Sequence, residues 1–149
     1  MKIKNDLDKK VREELFRLTL SRGAVFLNKF AEIDHPKFFV VAGLSQDKIY
    51  TCSFYINSNI HPALTKKQEL LNLQVPIKAD KYSFLTHTSF VCCSTVLPVK
   101  TTNIHSWIIN NTCSYKGQLD KDDLANVTSA IINSGLLTDE EIELYFNEE

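Results

Sequence analysis

The chain has 149 residues, with 17 Lys and Arg against 18 Asp and Glu, a formal charge of −1. That balance excludes a protein that grips nucleic acid through a broad basic face, while leaving room for a small local groove of Lys and Arg. Nine Phe, five Tyr and one Trp exclude intrinsic disorder, and four Gly with four Pro exclude a fibrous or low-complexity chain.

One domain over 1–149 is expected at this length. No run approaches the roughly 20 apolar residues of a membrane span. The N-terminal MKIKNDLDKKVREELFR has charges throughout and no apolar core, so no signal peptide and a cytoplasmic location are expected. The cysteines, Cys52, Cys92, Cys93 and Cys113, form no CxxC pair, and reduced, mostly buried thiols are expected.

From Asn5 to Ser21 the pattern is helical. Leu7, Val11, Leu15 and Leu18 recur at steps of four, four and three and predict the packed face, with Asn5 or Asp6 as cap and Gly23 as stop. Three apolar runs follow: Ala24–Leu27, Phe38–Gly43 entered through His35-Pro36, and Ile49–Ile56. In the third, Thr51, Ser53 and Tyr55 alternate with Cys52, Phe54 and Ile56, the period of a half-buried strand. Gln46-Asp47-Lys48 is a plausible hairpin connection between antiparallel neighbours.

A polar loop around His61-Pro62 leads to Gln68–Leu73, either a helical turn or irregular. Val75-Pro76-Ile77 predicts an edge strand, because proline lacks the amide donor. Phe90–Cys93 and Val96–Val99 are two further short runs, and Asn103–Cys113 is ambiguous between strand and turn. Asp120 and Asp122 open a helix that Gly135 ends, and Thr138 with Glu141 has capping-box spacing before Ile142 and Phe146. The expected architecture is α+β: an N-terminal helix over 5–21, small antiparallel barrel-like or sheet strands over 23–115, and C-terminal helices over 118–147.

The segments Gly23-Ala24-Val25-Phe26, His35-Pro36-Lys37-Phe38-Phe39-Val40-Val41, Ser89-Phe90-Val91-Cys92-Cys93-Ser94 and Lys116-Gly117-Gln118-Leu119, in this order, resemble the PemK/MazF-like superfamily of toxin components of type II toxin–antitoxin systems. The resemblance covers Gly23 to Leu136. It implies an SH3-like β-barrel with flanking helices, a homodimer, metal-free cleavage of single-stranded RNA, no cofactor, and a cognate antitoxin that blocks the groove. The family's catalytic pair is the arginine of an Arg-Pro step and a Ser or Thr at the end of a following strand. Here His35 stands in the arginine's place, so either histidine takes over the role or the activity is absent or altered. The hydroxyl slot falls to Ser58, or less well to Thr51 or Ser53.

The residues themselves offer compatible chemistry. RNA cleavage without metal requires a base for the ribose 2′-OH, an acid for the leaving 5′-oxygen, and a donor for the phosphorane charge. Histidine titrates near neutrality, and His35, His61, His87 and His105 are available. In an extended chain His35 and Lys37 share a face, giving a base-or-acid beside a phosphate donor. His61 and His87 are substrate-binding candidates with Lys37. Lys66 and Lys67 could touch phosphate, and Tyr82, Phe84 and Trp107 could stack on bases. No glycine-rich phosphate loop and no zinc spacing occur. The same barrel could instead be a non-catalytic module binding a peptide or protein. The nuclease reading requires His35 and the hydroxyl near Asn57 on the same side of a rolled sheet.

Overall fold

A computed structural model describes residues 2–147, with side chains from Leu7 onward. The first helix, α1, spans Lys2–Thr19 rather than 5–21, so Asn5 and Asp6, expected as caps, fall inside the helix and do not cap it; their side chains lie outside the described residues. Gly23, at φ +95°, then turns the chain into the sheet. This is left-handed backbone that a side chain would strain.

Six strands follow: β1 Ala24–Asn28, β2 Lys37–Leu44, β3 Thr51–Asn57, β4 Gln74–Ile77, β5 Ser89–Cys92 and β6 Cys113–Gln118. They form one antiparallel sheet of order β4-β5-β3-β2-β1-β6, whose edges, β4 and β6, are not paired with each other. The fold is α+β. Val75-Pro76-Ile77 does lie on an edge, as the missing proline amide requires.

Alternation along each strand feeds two cores. Val25, Val40, Ala42, Phe54 and Ile56 point toward α4 (Lys121–Asn133) and α5 (Asp139–Phe146). Phe26, Phe39 and Val41 point the other way, toward α1 and α3 (Thr101–Ile109). Helices on both faces correct the expectation of a half-buried third strand: Thr51 and Ser53 are buried along with Cys52, Phe54 and Ile56.

Three other expectations are corrected. Leu7, Val11, Leu15 and Leu18 are exposed, and α1 packs instead through Phe16 and Leu20. The ambiguous Asn103–Cys113 stretch contains helix α3, because Ile104 and Ile108, one turn apart, are its buried residues. The Val96–Val99 run makes isolated bridges rather than a strand, with Ser53 opposite Leu97 and Tyr50 opposite Lys100. The other edge strand, β6, is a mostly exposed polar segment that no apolar pattern announces.

The C-terminal helices follow their caps. Asp120 accepts from the Asp123 amide at 2.7 Å, and the Thr138–Glu141 capping box forms in both directions. The connection after β4 is tied down here. Tyr82 donates to buried Asp123 at 2.6 Å, and Lys81 reaches Asp120 at 3.0 Å. A short helix, α2 (Gln68–Leu71), precedes β4.

At Gly43 the sheet bulges and α5 lies directly on the backbone. A Cβ there would sit 2.7 Å from Tyr145 Cβ and 2.9 Å from the Phe146 ring. Gly43→Ala is therefore expected to destabilise the protein by about 1–3 kcal/mol through overpacking. Denaturant unfolding measures the loss, and hydrogen exchange should localise the loosening to α5.

All four cysteines are free, and only Cys92 is partly exposed. Burial pushes the thiols of Cys52, Cys93 and Cys113 up to about 12 each. Alkylation of the native protein at neutral pH is expected to label Cys92 alone, with the other three reacting only on unfolding; mass spectrometry counts the labels. A raised folded pKa stabilises below the unfolded value. That contribution is complete below about pH 9 and is lost as the pH climbs toward 12.

Candidate functional site

The register of β2 on β3 sets Phe38 opposite Ile56, and that of β3 on β5 sets Asn57 opposite Phe90. The start of β2, the end of β3 and the start of β5 therefore meet at one end of the sheet. The loops leaving that end enclose an open groove of about 570 Å³, within the range of ligand sites. Its walls include His35, Lys37, Ser58, His61 and His87. All five candidates from three separate loops and strand ends face one space.

His35 lies in the β1–β2 connection, largely exposed, with its Nδ1 2.8 Å from Asp34 Oδ1. The carboxylate accepts a hydrogen bond from Nδ1–H, which leaves Nε2 of the neutral ring with its lone pair, the arrangement of a base. Asp34 is held below the ordinary carboxylate pKa by the hydrogen bond from His35 and then by its charge. The pair is solvent-exposed and so weakly coupled. Asp34 was not a sequence candidate, although its place next to His35 was a readable signal.

His61 has the opposite arrangement. It caps the turn Pro62–Leu64, its Nδ1 accepting from the Ala63 amide at 3.1 Å. With Nδ1 an acceptor, the ring proton sits on Nε2. His61 is thus a hydrogen-bond donor toward the groove rather than a base. The His87 backbone carbonyl accepts from Ser89 Oγ at 3.2 Å, which ties its loop to the first residue of β5.

Lys37 opens β2 on the sheet face that also carries Tyr55 and Asn57. Its ammonium lies 4.5 Å from the centre of the Tyr55 ring and donates to the Asn57 side-chain oxygen. Burial lowers its pKa, partly opposed by the Cys92 sulfur. Asn57, missed as a candidate, follows from the strand register, which no sequence pattern supplies.

The hydroxyl alternatives separate. Ser58 is exposed on the groove wall. Thr51 and Ser53 are buried in the sheet, Thr51 donating to the Val99 carbonyl at 2.6 Å and Ser53 donating to Thr51 at 3.3 Å. Neither reaches the groove. Of the three aromatic candidates, Phe84 alone lines it, beside Phe38 at 5.4 Å and resting over Gly117. Tyr82 is buried on Asp123, and Trp107 packs on Phe30 and Phe39. His105 lies far from this chemistry, on α3, its ring 5.3 Å from that of Phe16. Lys66 and Lys67 are exposed and outside the groove walls.

Among the described residues, no three His, Cys, Asp or Glu side chains stand close enough to hold a metal ion, and no helix is long and apolar enough to cross a membrane. No protein-family model matches the chain, and no curated protein matches it.

Proposed function

We propose that the chain is an endoribonuclease of the toxin type, cleaving single-stranded RNA in the groove without metal. The observation that carries this reading is the convergence of three histidines, a lysine and an exposed serine on one open space, with His35 and His61 in complementary tautomers.

His35 Nε2 takes the proton of the ribose 2′-OH. The freed oxygen attacks phosphorus, and the bond to the 5′-oxygen breaks. His87 is the group across the groove that can give that oxygen a proton. The Lys37 ammonium, the Ser58 hydroxyl and the His61 Nε2–H donate to the charged phosphoryl oxygens. The products are a 2′,3′-cyclic phosphate and a free 5′-OH. Phe84 offers a ring for one neighbouring base.

The SH3-like barrel is part of the same proposal. It is supported by the connection after β4, which crosses to the far edge: Lys81 and Tyr82 hold the start of α4, and Phe84 rests over Gly117 of β6. A cognate antitoxin covering the groove, a homodimer and a cytoplasmic setting complete the reading, all from the resemblance to PemK/MazF-like toxins.

One observation favours a non-catalytic binding module instead. Lys37 is already occupied by Asn57 and Tyr55, so the groove's one cation is not free. Labelled single-stranded RNA and its 2′-deoxy counterpart, each incubated with the protein in chelator, decide between them. Cleavage of the RNA alone, leaving cyclic phosphate ends, is expected. Intact RNA at high protein concentration overturns the nuclease and leaves the module.

A further inference from the structure

We propose that α1 is a self-association element, its outward apolar stripe packing antiparallel against the same stripe of a second copy. Self-association through α1 is independent of RNA cleavage.

Leu7, Val11, Leu15 and Leu18 are 59%, 57%, 53% and 72% exposed. They form one stripe, about 16 Å long at 1.5 Å per residue. Single exposed leucines are ordinary, but a contiguous patch marks an interaction surface. The stripe is not what holds α1 on its own domain, since Phe16 and Leu20 pack into the core from the opposite side. The apolar surface continues past the helix, because Leu15 and exposed Tyr115 line one groove between α1 and the edge strand β6.

Charge selects the occupant. Lys10 and Glu14 lie one turn apart on the same flank of the stripe, and Arg17 holds Glu14 there at 2.7 Å. An antiparallel two-fold pairing sets Leu7 against Leu18 of the second copy and Val11 against its Leu15. The same pairing sets Lys10 against Glu14 of the second copy and Glu14 against its Lys10. A parallel two-fold pairing would put these flanks on opposite sides of the seam, so that neither Lys10 nor Glu14 meets its opposite charge. The helix is therefore complementary to its own reversed copy. Five apolar side chains per copy are fewer than the roughly 20–30 residues of a standard interface, so the dimer is expected to dissociate on dilution.

Sedimentation of the full chain across a wide concentration range tests this. A monomer–dimer equilibrium is expected. Leu18→Glu, which is exposed and leaves Phe16 and Leu20 in place, should weaken the dimer at least about a hundredfold, since it acts twice per dimer. Lys10→Glu alone and Glu14→Lys alone should each remain monomeric where the wild type dimerises, while an equal mixture of the two should dimerise, because only the mixed pair restores opposite charges. Circular dichroism checks that each variant is folded. A wild type that is monomeric at every concentration, a dimer that Leu18→Glu leaves unchanged, or a mixture that stays monomeric would each overturn the proposal.

Discussion

His35→Ala is expected to slow RNA cleavage by about 10²–10⁴-fold, the usual contribution of a positioned base, while leaving RNA affinity almost unchanged. The ring is exposed, and its only side-chain partner among the described residues is Asp34, so its removal costs the fold little. Asp34→Asn replaces the charged, acceptor-only carboxylate that keeps the proton on Nδ1 with a neutral amide that can also donate there, and should cost less, about tenfold, with the loss in kcat rather than KM. His35→Arg introduces the residue type that PemK/MazF-like toxins carry at the matching step, and on the proposed reading activity equal to or above wild type is expected. Single-turnover kinetics on one labelled oligonucleotide measures all three. Equal rates for His35→Ala and wild type would remove His35 from the chemistry.

Phe54→Ala is expected to destabilise the protein by about 3–5 kcal/mol. Phe54 is wholly buried in β3, the strand between β2 and β5, and belongs to the core beneath α4 and α5. Its loss leaves a cavity that the paired strands on both sides prevent from collapsing. Against a typical total of about 5–15 kcal/mol, that is about a fifth or more of the stability, and thermal unfolding should fall by roughly 10 °C. Tyr55→Ala, on the same strand but half-buried beside Lys37, should cost clearly less. A Phe54→Ala loss below that of Tyr55→Ala would contradict this account of the core.

Local chemistry was the legible part of the fold. Asp120, Gly135 and the Thr138–Glu141 pair mark helix ends through hydrogen bonds within a few residues, and the structure places α4 and α5 accordingly. Pro76 announced an edge for an equally local reason. What failed was non-local. Periodicity identified an apolar stripe on α1 but could not say which side meets the sheet, and Phe16 with Leu20 prevailed over four aliphatic residues. The β-branched and aromatic Trp107-Ile108-Ile109 concealed a helix, because burial of Ile104 and Ile108 overrides local preference. At the site, the candidates were readable as residue types near strand ends. Their convergence depended on the β2–β3–β5 register, which also brought in Asn57. Choosing Ser58 over Thr51 and Ser53 likewise required knowing that β3 is covered on both faces.

Titration with a non-cleavable 2′-O-methyl oligonucleotide, followed through the histidine ring resonances, tests the central claim most directly. His35, His61 and His87 are expected to shift together and saturate with a single affinity, while His105, packed against Phe16 between α1 and α3, stays silent. Shifts confined to His105, or three groove histidines unmoved at saturating oligonucleotide, would show that RNA does not occupy this groove.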